Sequence, residues 1–337
     1  EARWQVLDGR VAQDISAVAY FFGRDLRREI DRPIGLIQCA WGGSKIQAWL
    51  SPQTFADQPD HERFRRQYEE AAERFARELQ RWRADGKNGQ RPRPRGGGPN
   101  HKPSGLYNAM THPLAPLTIR GVLWYQGESD AWMPETYDEL FKALVADWRR
   151  GFHDPELPVF YVQLPAFENA KWPAFREAQR NHDIPHAAMA VSIDQGVADD
   201  IHPPMKRPVG ERLARLARVH VYGHDVLPGG PRLESVSLVG DGSGVVRLRF
   251  VDVGDGLAST AASPGGGPLP DFALVGADGK ARSAEARIVS ADTIEVRSPQ
   301  VAQPVKVRYA YTPVPSGHLI NSERLPASPF EVGVDPG

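Results

Sequence analysis

His202 and Asp199 stand three residues apart in the run Asp199-Asp200-Ile201-His202-Pro203-Pro204-Met205-Lys206. An imidazole whose tautomer is held by a nearby carboxylate acts first as a general base and then as a general acid, the proton-handling half of covalent ester hydrolysis. The other half is a nucleophilic hydroxyl together with N–H donors aimed at the oxyanion. An isolated Asp-x-x-His is weak evidence, because two such residues recur at that spacing by chance. Its context strengthens it: the apolar Met189, Ala190, Val191 and Ile193 just before it read as a buried strand, and a parallel sheet presents its catalytic loops at the carboxyl edge of such strands. A second loop of the same kind, Gln126-Gly127-Glu128-Ser129-Asp130, follows the apolar run Gly121 to Tyr125.

The elements that must position these loops alternate between strand and helix patterns from the start to about residue 222, which predicts a parallel α/β layer structure. Ser16 to Arg28 reads as a helix with an apolar face at Val18, Phe21, Phe22 and Leu26, and Ile34 to Cys39 as the strand after it. Gly121 to Tyr125 and Val159 to Leu164 read as further strands, with helices over Glu135 to Trp148 and Val209 to Tyr222. His61 to Arg83, rich in charge with a thin aromatic stripe at Phe64, Tyr68, Phe75 and Trp82, reads as a solvated helix. Gly86 to Ser104 is too rich in Gly, Pro and Arg for regular packing and reads as a solvated loop or disordered insert. Beyond about Gly229 the pattern changes to short alternating runs, Val245 to Phe250, Phe272 to Val275, Ala286 to Val289, Thr293 to Val296 and Val305 to Tyr311, which predict an antiparallel sandwich. The glycines of Gly240 to Gly244 and Gly265 to Gly267 lack a following helix and a Lys-Ser/Thr pair, so hairpin turns explain them better than phosphate loops.

With 337 residues, 41% hydrophobic and 25% charged, the chain can bury a sizeable core, and a net charge of -1 supplies no basic excess for nucleic acid or an anionic membrane. No run approaches the roughly 18 apolar residues of a membrane helix. The single Cys39, in an apolar run, reads as a core thiol, not a nucleophile. Neither metal nor organic cofactor is expected, since the histidines lack ligand spacing and ester hydrolysis of this kind needs none.

Asp194-Gln195-Gly196 before the Asp-x-x-His, and Lys206, Val209, Gly210 and Leu213 after it, resemble the last motif block of the SGNH hydrolases, and within them the sialate O-acetylesterase-like carbohydrate esterases. Trp41-Gly42-Gly43-Ser44 resembles the family's Trp-Gly-Gly-Thr/Ser element, and Trp124 to Asp130 its Tyr-Gln-Gly-Glu-Ser block. Tyr107 to Met110, Arg176 to Gln179 and Asn321 to Phe330 are also similar to family segments, in family order. The resemblance implies a flavodoxin-like three-layer α/β domain over residues 1–228, with an insert at about 60–104, and a C-terminal β-sandwich over 229–337. It implies His202 as base, Asp199 as its orienting acid, and Gly43 and Gln126 as oxyanion donors. The substrate would be an acetyl ester on a saccharide or glycan, met in a secreted or periplasmic setting.

Bland readings stand beside these. Gly42-Gly43 could be a tight turn, and Trp41, Trp49 and Trp124 core aromatics. Glu128 reads better as a buried carboxylate beside the substrate than as a second base. Arg176 is divided between substrate contact and helix surface, while Trp41 is a candidate substrate contact. His112 and His318 read as loop histidines.

One family element has no counterpart here: the Gly-Gln-Ser-Asn block that follows the first strand and carries the nucleophile. Ser44, beside the oxyanion glycine, is the fallback, ahead of Ser129 and Ser243. Three explanations stay open. The serine resides on a separate N-terminal segment or second subunit that also covers an exposed sheet edge; hydrolysis has been lost and a glycan-binding cleft kept; or a different serine acts. A lipase-like enzyme is disfavoured by the lack of a long apolar lid.

Overall fold

The computed structural model describes residues 4–9, 11–240, 242–261 and 269–334, so the expected turn at Gly265 to Gly267 lies outside the described residues. Helix α1 (Ala17–Glu29) starts where the Ser16 hydroxyl accepts from the Ala19 N–H, relieving one of the orphan donors of a first turn. A short α2 (Pro52–Asp57) and the long α3 (Glu62–Ala84) follow. Strands β1 (Val122–Trp124), β2 (Val159–Val162) and β3 (Ala187–Ala190) alternate with α4 (Pro134–Gly151) and α5 (Trp172–Arg180), and α6 (Arg207–His220) comes after β3.

The three strands form one parallel sheet in the order β1-β2-β3. Because successive strand side chains point to opposite faces, β2 splits its residues: Val159 and Tyr161 join α4 and α5 in one core, Phe160 and Val162 join α1 and α6 in the other. Gly210 marks the closest approach of α1 and α6, since a Cβ there would lie 2.7 Å from the Phe21 Cβ and the Val18 carbonyl. The result is a sheet covered by helices on both faces.

The expected strand Ile34 to Cys39 is corrected. This segment is not part of the sheet: β1 pairs only with β2, and residues 34–40 run between α1 and the Gly42-Gly43 turn outside any strand ladder. Apolar alternation is necessary for a strand, but a ladder also requires a neighbour at hydrogen-bonding distance. Gly86 to Ser104 is likewise not a free insert. It folds back on α3, where a Cβ on Gly97 would come within 2.5 Å of the Ala72 backbone, and it ends in a turn at Pro99–His101 that reaches the Gly43 loop.

Residues after 231 build β4 (Arg232–Leu238), β5 (Val246–Val251), β6 (Ala258–Ser259), β7 (Phe272–Gly276), β8 (Ala281–Ser283), β9 (Glu285–Ser290), β10 (Thr293–Arg297), β11 (Pro304–Tyr309), β12 (Leu319–Ile320) and β13 (Phe330–Gly333). Two four-stranded antiparallel sheets, β4-β5-β10-β9 and β13-β11-β7-β8, enclose their own core of Val246, Leu248, Phe250, Ile294, Phe272, Leu274, Val307 and Tyr309. This sandwich is tied to the α/β layers at the carboxyl end of β2. The Gln163 carboxamide donates to Ser328 Oγ at 2.8 Å, and the Phe167 N–H donates to the Pro313 carbonyl at 3.3 Å. Among the described residues no helix is long and apolar enough to cross a membrane.

Candidate active site

Three loops meet at the carboxyl end of the sheet: residues 41–45 after the extended segment, 125–130 after β1 and 191–206 after β3. The first is built around Gly43, whose φ of +66° is a conformation that glycine adopts without steric cost. Its carbonyl accepts from Asn100 Nδ2 at 3.1 Å, from Ser129 Oγ at 3.1 Å and from His101 Nε2 at 2.9 Å in the tautomer that carries its hydrogen there. The Gly42 carbonyl, which shares its peptide plane with the Gly43 N–H, accepts from the same Asn100 Nδ2 at 3.3 Å, so that plane is held, and the Gly43 N–H is left without a partner among the described residues. A fixed, unpaired N–H beside a cleft is what an oxyanion requires.

Asp130 carries the second loop. Fully buried, it accepts through Oδ2 from the Ile46 N–H at 2.8 Å and from Gln126 Nε2 at 2.7 Å, so one carboxylate oxygen joins the residue after the Gly-Gly-Ser-Lys turn to the residue after β1. Burial pushes its pKa up to about 6, against the two hydrogen bonds and Lys45, which favour the charged form. The other hydrogen of the Gln126 carboxamide goes to the Ser44 carbonyl at 3.0 Å, and the Tyr137 hydroxyl donates to Gln126 Oε1 at 3.1 Å. Both Gln126 side-chain hydrogens are therefore engaged within the protein, and the backbone N–H of Gln126 is what the residue has left to offer an oxyanion. Ser44 is corrected outright. It is 7% exposed and its Oγ accepts from the Trp49 indole at 3.0 Å, so its hydroxyl faces the interior and not a substrate. Trp49 and Trp124 are core residues, packed edge to face at 6.0 Å.

The third loop is held differently. Asp194 and Arg212 form a two-pronged ion pair with both N···O distances at 2.6 Å, which draws Asp194 below the usual carboxylate range despite its burial. Gly196 is pressed against Ala166, where a Cβ would come within 2.6 Å of the backbone, and the Glu168 N–H donates to the Ala198 carbonyl at 2.8 Å. Beyond these anchors Val197 to Asp200 and His202 are exposed, while Pro203 is buried and Ile201 packs against the core that holds Val159 and Tyr161. The Asp200 carboxylate accepts from the His202 N–H at 2.8 Å, which shapes the turn, while Asp199 and the His202 ring lie at the surface without a hydrogen bond between them among the described residues.

Glu128 faces this loop. Burial raises its pKa, opposed by its backbone hydrogen bonds, by Lys206 and by His202, so the carboxyl lies in the field of both the ammonium and the imidazole. Lys206 sits 5.4 Å from the centre of the Tyr125 ring, completing a cluster of Tyr125, Glu128, His202 and Lys206 at the cleft. Trp41, 49% exposed, flanks the Gly43 turn on the solvent side.

Arg176 does not belong to the site. It is wholly buried in α5, and its guanidinium donates to the Thr312 and Pro313 carbonyls of the sandwich; the reading as a substrate contact is corrected. A cation buried among main-chain carbonyls is a structural tie between two layers. Cys39 is half-buried beside Thr111 with its thiol pKa raised by burial, which keeps it protonated. Asn100 and His101 were invisible as site residues in the sequence, because they lie in a stretch whose composition reads only as loop. Asp130 closed a motif in which no separate role was legible.

A family model described as carbohydrate esterase, sialic acid-specific acetylesterase, matches residues 95–218. The sialate O-acetylesterases of Mus musculus and Homo sapiens are each 33% identical to this chain, over 262 and 263 residues, covering 70% of it and 48% and 45% of themselves. The chain thus spans about half the length of these curated relatives. A carbohydrate acetylesterase from Xanthomonas citri superposes with a TM-score of 0.79 at 34% identity, covering 98% of this chain and 68% of that one. With that match across both the α/β layers and the sandwich, the chain belongs to the carbohydrate acetylesterases.

Proposed function

We propose that this chain supplies the acid–base and oxyanion parts of a carbohydrate O-acetylesterase that removes acetyl groups from sugars such as sialic acids. The observation that carries the reading is the convergence of the Gly43 turn, whose N–H plane is held through the Gly42 carbonyl, and the His202 loop at one sheet end, with Glu128 in the field of both His202 and Lys206. His202 takes the proton of an attacking serine and returns it to the departing sugar hydroxyl, so the acetyl group passes first to the serine and then to water. Gly43 and the Gln126 backbone hold the negative charge on the tetrahedral carbon's oxygen. Asp199 orients the imidazole once substrate closes the exposed loop, catalytic hydrogen bonds often being long before the site is filled. Glu128 and Trp41 line the sugar side of the cleft.

The nucleophile, in this reading, is a serine delivered on a further strand that pairs along β1, whose other edge has no strand partner among the described residues. That strand comes from an N-terminal segment or a second subunit. Such an esterase meets its glycans outside the cytoplasm. The test is hydrolysis of p-nitrophenyl acetate by the 337-residue chain, with and without a synthetic peptide bearing the Gly-Gln-Ser-Asn block, next to His202→Ala. Activity that rises with the peptide and falls by about a thousandfold or more in His202→Ala is expected. A rate indifferent to His202→Ala overturns the assignment. Saccharide binding with no turnover under either condition would select the glycan-binding alternative.

A further inference from the structure

Trp132 is an exposed tryptophan that the catalytic reading does not use. It is 53% accessible, whereas Trp49, Trp124, Trp148 and Trp172 are all buried in the α/β core. Leaving that much indole in water forgoes the free energy its burial would release, so packing gives no reason for its placement. Its orientation is nevertheless held. The indole Nε1 donates to the Ser129 carbonyl at 3.0 Å, and the Ser129 hydroxyl donates to the Gly43 carbonyl at 3.1 Å, so one hydrogen-bonded residue separates the ring from the oxyanion glycine. Lys45, two residues past Gly43, places its ammonium 4.9 Å from the ring centroid and so covers one face by a cation–π contact. Beyond that contact more than half of the residue stays open to solvent. Trp41, two residues before Gly43, is a second exposed indole in the same turn.

We propose that Trp132 is a sugar-stacking platform: its exposed indole receives a pyranose ring of the substrate, and the Ser129 link to Gly43 sets the distance from that ring to the acetyl carbonyl. A sugar ring presents a patch of C–H groups on one face and hydroxyls around its rim, and a flat, rigid aromatic with little entropy to lose matches the C–H patch while leaving the rim hydrated. Trp132 would then govern which sugars are accepted and leave the chemistry of the acetyl group to His202 and Gly43. The inference rests on the esterase reading for the identity of the bound ring, but its test does not depend on turnover.

The experiment is saccharide binding to the full chain, measured by ligand-observed NMR titration with N-acetylneuraminic acid and, separately, with xylotetraose as probes. Wild type, Trp132→Ala, Trp132→Phe and Trp4→Ala are compared, Trp4 being an exposed tryptophan elsewhere in the chain. Trp132→Ala should weaken Kd by about tenfold, Trp132→Phe by no more than about threefold because a smaller aromatic keeps the platform, and Trp4→Ala not at all. Unchanged Kd in Trp132→Ala, or no binding of either probe by wild type, overturns the proposal. p-Nitrophenyl acetate has no sugar ring, so its hydrolysis reports the esterase reading alone: binding that depends on Trp132 upholds the platform whatever that rate is.

Discussion

The Gly43 side of the site and the His202 side hold their functional groups by opposite means. Gly43 sits over a buried network of Asp130, Gln126, Tyr137 and Ser44, in which the Ile46–Asp130 and Gln126–Ser44 bonds join the turn to the loop after β1 and the Gln126–Asp130 and Tyr137–Gln126 bonds brace that loop itself. The Asp199–His202 loop is anchored by the Asp194–Arg212 pair, by backbone contact with residues 166–168 and by Ile201 and Pro203 turned inward, while Asp199, Asp200 and His202 are exposed. An oxyanion donor works by being fixed before charge develops, so rigidity belongs there. The His202 ring, proposed to shuttle a proton, is exposed between the half-buried Ile201 and the buried Pro203, which leaves the side chain room to turn on a held backbone.

The contrast can be broken most severely at Asp130. Asp130→Ala leaves the Ile46 N–H and a Gln126 N–H buried without acceptors, and should cost about 3 kcal/mol in urea denaturation. No exposed residue of the His202 loop should approach that cost. On the opposite side Gly196→Ala should act through geometry: its Cβ would overlap the Ala166 backbone, pushing the loop outward and lowering kcat/KM for ester hydrolysis by about a hundredfold in the variant that remains folded, beyond what its lowered denaturation midpoint accounts for. Should activity fall no further than stability does, the loop is not the positioned element supposed here.

Arg176→Met tests whether the sandwich supports the His202 side. It removes the donor to the Thr312 and Pro313 carbonyls beside the Phe167 contact, and should destabilise by about 2 kcal/mol, with earlier proteolysis near residue 313.

The smallest effect is a pH dependence. Asp130 has its pKa raised by burial from 3.8 to about 6, so between those values the unfolded chain binds fewer protons, and stability falls as pH rises through that window. His182, buried against Tyr137 and Phe141, has its pKa lowered by burial from 6.5 to about 4, so stability rises with pH over nearly the same interval. The two slopes oppose each other. Asp130→Asn, which keeps an acceptor for both N–H groups, should unmask the rise, and His182→Phe the fall; thermal melts from pH 4 to pH 7 would show each.

Periodicity was enough for most elements, because an amphipathic helix such as α1 or an alternating strand such as β5 carries its burial pattern in its own residues. It failed at Ile34 to Cys39, whose apolar alternation is strand-like but which joins no ladder, and at Gly86 to Ser104, whose composition speaks only of the absence of regular structure.

The site divides in the same way. Asp199, His202, Gly43, Gln126 and Glu128 were singled out by short runs that resemble family motifs, and the structure brings the loops that carry them to one end of the sheet. What sequence determined about this protein is thus the local chemistry and the alternation of elements, both properties of neighbours along the chain. Only the tertiary structure decided that Asn100 and His101 lock Gly43, that Asp130 joins two loops 84 residues apart, that Ser44 turns inward, and that Arg176 serves the sandwich. Those are contacts between distant segments, set by packing that no local pattern encodes.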